Sequence, residues 1–217
     1  MLNKSKMTGF ERPYLRSVNV RPNGTIDLSD LKEMLLSDEE FRKYSVCLGD
    51  IFVNEGGDVG RSAVFKLETK IPMTFQNALH RLRPVVGISS EYVHLVIQQA
   101  KSQGVIAEMS SGVTIQHFSA SAIRRLAIPL PPISEQEEIV RRVSEILSIS
   151  SEIERDLVAG EQLASAARRS AIDAISTAQT PEEVQAAWNR IEQNWEVISA
   201  TAEGVQHLRK LIVDLAL

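Results

Sequence analysis

The sequence is poor in cysteine and contains no long apolar run. Its single cysteine, Cys47, excludes an internal disulfide, and a reducing compartment is its natural setting. Val46 and Leu48 on either side predict that Cys47 is a small buried core residue. No apolar run approaches the length of a membrane span, and residues 1–6 lack the apolar core of a signal peptide. These absences predict a soluble cytoplasmic protein with no membrane partner. His80, His94, His117 and His207 are scattered without metal-ligand spacing, and one cysteine cannot supplement them. No metal and no other cofactor is expected.

Among the 217 residues, 43% are hydrophobic, enough for one real core and an appendage. The net charge of −4 argues at first against nucleic acid. Its distribution changes that reading. Residues 1–132 carry 16 Lys and Arg against 13 Asp and Glu, whereas 133–217 carry 8 against 15. The acidity belongs to the second part, and the mildly basic first part permits a nucleic-acid face without demanding one.

The two parts meet at Pro129-Leu130-Pro131-Pro132, which cannot lie inside a helix because proline lacks the amide donor and pushes the preceding residue toward extended geometry. Ser134 with Glu137 three residues on then reads as a capping box. From there Ile139, Val143, Ile146, Ser150, Ile153, Leu157, Gly160, Ala164, Ala167, Ala171 and Ala174 step by four and three, the spacing of a coiled-coil seam. One unbroken helix over 135–178 would be about 65 Å long and would need a partner along most of its length. Its seam thins to Ala and Gly, which allows close approach of another helix, and Gly160 marks its weakest point. The plainer reading is a helix folded back on its own domain.

Earlier in the chain, residues 13–20 alternate like a half-buried strand, and Asn23-Gly24 signals a turn. Ser29 and Ser37 read as helix starts, the second with Glu40 in a capping-box position. Residues 44–48, 51–54 and 62–67 read as strands, 73–79 is open between strand and helix, and Ser89 or Ser90 caps a helix that ends at Gln103-Gly104. A hairpin-like stretch over 105–118 follows. The pattern predicts an α+β protein: an irregular, strand-rich domain over 1–132, a long coiled-coil helix over 133–178, and a short helical module over 179–217. In that module Thr180-Pro181-Glu182-Glu183 starts a helix striped by Val184, Trp188, Ile191, Trp195 and Ile198, with both tryptophans expected in the core. Thr201 is expected to cap a further helix. The stop at Leu217, in the middle of an apolar face, reads as a cut.

Gly56-Gly57-x-x-Gly60-Arg61 lacks the lysine and hydroxyl of a phosphate-binding loop. Two readings stay open: a tight turn needing positive φ, and a backbone brought close to a phosphate with Arg61 beside it. No nucleophile elbow occurs, nor the Asn/Asp-Pro-Pro-aromatic motif of amino-methyltransferases, and no catalytic residue is nominated. What remains is a loop inventory suited to reading bases and holding phosphates: Lys4, Lys6, Arg12, Arg16, Asn54, Arg61, Gln76, Asn77, Arg81, Arg83, Gln116 and His117. The candidate DNA-binding set is Arg12, Arg16, Asn54, Gly56, Gly57, Arg61, Gln76, Arg81, Arg83 and His117.

In this order and spacing, Pro13-Tyr14-Leu15-Arg16 with Asn19-Val20, Gly24-x-Ile26-Asp27-Leu28, Gly49-Asp50-Ile51, Glu55-Gly56-Gly57-x-x-Gly60-Arg61, Phe75-Gln76 and Pro129-Leu130-Pro131-Pro132-Ile133-x-Glu135-Gln136-x-x-Ile139-Val140 resemble the DNA specificity subunits of type I restriction-modification enzymes. The resemblance covers nearly the whole chain. It implies a non-catalytic subunit whose 1–132 domain reads one half of a split site in double-stranded DNA. The long helix would set the distance to a second recognition domain, and methyltransferase and restriction subunits would supply the chemistry. Family members usually carry two recognition domains and an opening strand before the proline-tyrosine motif. Here one domain is present, which implies a fragment or a half-subunit that pairs with another copy or a second half. A helical scaffold without DNA specificity would explain the seam but not the loop-rich first domain. An enzyme acting on nucleic acid is the third reading.

Overall fold

The computed structural model describes residues 9–69, 71–112, 116–199, 205–206, 209–210 and 212–213. The chain divides into two compact units, Met1–Val143 and Ser144–Leu217. As expected, the fold is mixed α and β, with small sheets and one long helix.

In the first unit, β1 (Phe10–Leu15) pairs antiparallel with β2 (Lys32–Leu36) and parallel with β5 (Thr74–Phe75). A second sheet has β3 (Ile51–Asn54) at its centre, antiparallel to both β4 (Ser62–Val64) and β6 (Leu79–Leu82). All four residues of β3 are buried, because the strand is covered on both faces. Ile51 and Val53 join Val93, Ile97, Ile106, Phe118 and Ala122 in one core. Phe52, pointing the opposite way, joins Leu15, Val20, Ala63, Phe65, Met73 and Leu79 in the other. Burial of a phenylalanine such as Phe52 contributes about 3–5 kcal/mol against alanine.

Helices α1 (Asp38–Tyr44), α2 (Ser90–Ser102), α3 (Val105–Met109) and α4 (Ala120–Ile123) complete the unit. Ser37 and Glu40 form the expected capping box, and Ser89 caps α2 through Tyr92 N–H. Several local expectations are corrected. Ser29 starts no helix; its N–H is taken by the Asp27 carboxylate, and the chain goes on into β2. Residues 45–48 are not a strand: α1 occupies the chain to Tyr44, and Asp50 folds the next residues into a turn by accepting Cys47 N–H at 2.8 Å. That turn needs Gly49 at φ +83° and carries Cys47 outward, so the cysteine is exposed. Residues 105–109 form α3 in place of the first arm of a hairpin.

Helix α5 (Ile133–Thr177) runs unbroken through Gly160. It starts before Ser134, because the Pro132 carbonyl accepts the Glu135 and Gln136 N–H groups, so Ser134 is within the first turn and not its cap. In the second unit, Ala171 and Ile175 of α5 pack with Ala187 and Ile191 of α6 (Pro181–Gln193) and Ile198 of α7 (Trp195–Ser199). Thr180, Pro181 and Glu183 make the predicted start of α6. The tryptophan stripe is corrected: the helix breaks at Asn194, and Trp195 is 49% exposed. The helix start expected at Thr201 lies outside the described residues. Ile146, Ile153, Leu157 and Leu163 on α5 are exposed. No helix among the described residues is long and apolar enough to cross a membrane.

Candidate functional site

The site is built on the end of the second sheet where β3 finishes and β4 and β6 begin. The loop over 55–61 closes on itself: Gly60 N–H donates to the Asn54 carbonyl at 3.0 Å, and Asn54 N–H to the Arg61 carbonyl at 2.8 Å. Gly60 is needed twice over. Its φ is +76°, and a Cβ there would stand 2.8 Å from Ile106. Gly57, at φ +73°, faces open space at the tip.

Asn54 and Arg61 fix this loop to the segment over 16–19. With its amide oxygen turned to Arg61, buried Asn54 accepts from Nη2 at 3.0 Å and Nε at 3.2 Å. Arg61 Nη2 also donates to the Ser17 carbonyl at 3.1 Å, and Nη1 lies 3.7 Å from Asp58. Two more loops are stitched to Glu55. Its N–H donates to the Ala78 carbonyl at 3.0 Å, and its carbonyl accepts Phe118 N–H at 2.8 Å. His80 Nε2 reaches the Phe118 carbonyl at 2.6 Å, and Gly56 bridges His117. Loops 55–60, 76–79 and 116–119 therefore meet at one sheet end.

This end presents polar groups that the fold does not consume. His117 and Gln116 are exposed, and the half-buried Gln76 uses only its backbone in hydrogen bonds among the described residues. Beyond α4, Arg124 and Arg125 are both exposed, and neither guanidinium has a partner among the described residues. Sequence reasoning missed this pair. Its signal was an Arg-Arg dipeptide directly after a Ser119-capped turn, within reach of His117 along the chain.

The other nominated arginines are held in internal contacts. Arg16 Nη2 donates to the Asp30 carboxylate at 2.6 Å and to its carbonyl at 3.0 Å, shaping the segment that carries Ser17. Arg12 lies over Phe41 at 4.7 Å and faces Asp38 at 4.0 Å, in the first sheet. Arg81 and Arg83 lie toward the opposite end of β6. Arg81 covers Phe75 at 5.2 Å and donates to the Ser45 carbonyl at 2.8 Å. Arg83 grips the fully buried Asp50 through Nε at 2.6 Å and Nη2 at 2.7 Å, and these hydrogen bonds raise its pKa above the usual arginine value. The structure thus gathers Asn54, Gly56, Gly57, Arg61, Gln76 and His117 with the segment behind Arg16. It leaves Arg12, Arg81 and Arg83 elsewhere.

The family model of the type I restriction modification DNA specificity domain matches residues 9–159. The chain is 26% identical over 137 residues to the EcoBI type I restriction enzyme specificity subunit of Escherichia coli, covering 62% of this chain and 28% of that protein. It is 25% identical over 160 residues to the EcoKI specificity subunit of Escherichia coli K12, covering 71% of this chain and 34% of that one. In three dimensions it is similar to a chain from a solved type I R-M system, studied for complex assembly and conformational transition. The TM-score there is 0.51 at 16% identity, covering 71% of this chain and 34% of the other. The chain spans about a third of the length of these curated relatives.

Proposed function

The chain belongs to the type I restriction modification DNA specificity family, and from that premise we propose that its first unit reads one half of a bipartite site in duplex DNA. The observation that carries this reading is the meeting of three loops at one sheet end, with exposed polar side chains on loops held by Asn54 and Arg61. Gln76, Gln116 and His117 offer donors and acceptors to base edges, while Arg124 and Arg125 suit phosphates. Gly57 lets the backbone approach without a side chain in the way. Asn54, Arg16 and Arg61 act on DNA indirectly, by holding the loops in place.

The methyltransferase and restriction subunits of a type I system are the partners in this reading, and they supply all the chemistry in the cytoplasm. The exposed Ile146, Ile153 and Leu157 on α5 suit a partner helix, from a second copy or a second half-subunit, that brings the other recognition domain. Two half-site readers joined this way bind far more tightly than either alone, because the second contact becomes intramolecular.

The same exposed stripe is what favours the alternative, a helical scaffold without DNA specificity. Fluorescence anisotropy with duplex DNA at several salt concentrations, run on the chain mixed with its methyltransferase subunit and sized by light scattering, separates the two. A stable complex whose DNA affinity falls steeply with salt is expected. A complex that assembles yet ignores DNA at low salt would favour the scaffold.

A further inference from the structure

Gln136 is 1% exposed, although its neighbours Glu135 and Glu137 in the first turn of α5 face solvent. Its side chain turns into the first unit, where Nε2 makes two donations and Oε1 accepts one hydrogen bond. Oε1 accepts Ser89 N–H at 2.9 Å. Nε2 donates to the Pro131 carbonyl at 2.8 Å and to the Gly87 carbonyl at 3.3 Å. One amide therefore ties together a turn, the start of α2, and the proline run that leads into α5.

Each tethered group is one its own segment leaves open. Ser89 is the N-cap of α2, and its hydroxyl already accepts Tyr92 N–H at 3.3 Å. Gly87, at φ +87°, completes the turn in which Ile88 N–H reaches the Val85 carbonyl at 3.1 Å. Prolines at 131 and 132 bring no N–H of their own to this joint. The chemistry also excludes the nearest substitute. A glutamate could accept from Ser89, but its other oxygen would face two carbonyls with no proton between them.

We infer that Gln136 is a positioning residue, a clasp that fixes the root of α5 to the first unit and thereby restricts the spacing at which half-sites are read. The link to spacing rests on the proposed function; the clasp does not. A helix loose at its root would let the distance to a second recognition domain vary, whereas a fixed root holds it.

The test uses the full chain with spin labels at the single native cysteine, exposed Cys47, and at Arg142→Cys on α5 within the same unit. Electron double resonance is expected to give one narrow distance distribution. Gln136→Met keeps the length and removes the amide; it should widen the distribution roughly twofold while helix content by circular dichroism stays unchanged. Gln136→Glu should widen it as well. A width unchanged in Gln136→Met overturns the clasp. Should that variant fail to fold, amide exchange in the unaltered chain decides. Ser89 N–H is expected to be protected by roughly 1000-fold or more, and exchange near the free-peptide rate overturns the proposal.

With the methyltransferase subunit added, the Gln136→Met complex is expected to keep its half-site bases and to accept spacers one base pair shorter or longer. A widened distance with a single spacer overturns the link to spacing. If the unaltered complex modifies no bipartite site, the functional reading fails, and the distance measurement still judges the clasp.

Discussion

Asp50 shows how little a residue type says about its task. It is fully buried, accepts Cys47 N–H, and is gripped at both oxygens by Arg83, which a sequence inventory places among DNA contacts. Arg83→Ala would leave that carboxylate without its cation, so chemical denaturation should show a loss of about 3 kcal/mol. His94 gives a second expectation. Burial first, and then the nearby Lys66 charge, lower its pKa from 6.5 to about 4. The unfolded chain therefore takes up the proton more readily. The stability from neutral His94 is fully present above pH 6.5 and is lost as pH falls toward 4, by roughly 3 kcal/mol. Thermal melts from pH 7.5 down to 4 should show this decline, and His94→Gln should flatten it. Partner identity is what the sequence could not supply: Arg61, Arg81 and Arg83 resemble free cations until the Ser17 carbonyl, the Ser45 carbonyl and the Asp50 carboxylate are brought beside them from far along the chain.

At the scale of elements, the signals that were legible are those decided within a few residues. Ser37 with Glu40, Ser89 ahead of α2, and Thr180-Pro181-Glu183 each cap the helix they announce. The apolar run Ile51 to Val53 was legible too, because a short continuous apolar stretch suits a strand covered on both faces. Elements set by tertiary partners were not legible. Residues 32–36 become a strand because they pair with β1, and residues 45–48 a turn because Asp50 and Arg83 hold them there. Ser134 shows a local signal overruled: the Pro132 carbonyl starts α5 before the serine can cap it. The two sites make opposite predictions. Thr180→Ala should cost about 1 kcal/mol. Ser134→Ala should change stability by less than about 0.5 kcal/mol. Denaturant titration of each variant checks the pair.

Across the whole molecule, the mildly basic first unit is joined to an acidic helical part, and Arg124 and Arg125, which sequence reasoning overlooked, are exposed with no partner among the described residues. If they meet phosphates, replacing both by alanine in the methyltransferase complex should weaken DNA binding for every sequence alike and reduce the logarithmic salt slope by about 2. Base preference should not change. The opposite behaviour belongs to Gln76 and the exposed His117, whose side chains in this reading meet base edges. The most direct test of the account is methylation mapping by long-read sequencing of DNA from cells that express the chain with its methyltransferase subunit, unaltered or as Gln76→Ala or His117→Ala. One bipartite motif is predicted for the unaltered chain, and a motif relaxed within a half-site at an unchanged spacer for the variants. An identical motif in all three would contradict the claim that these loops read the DNA.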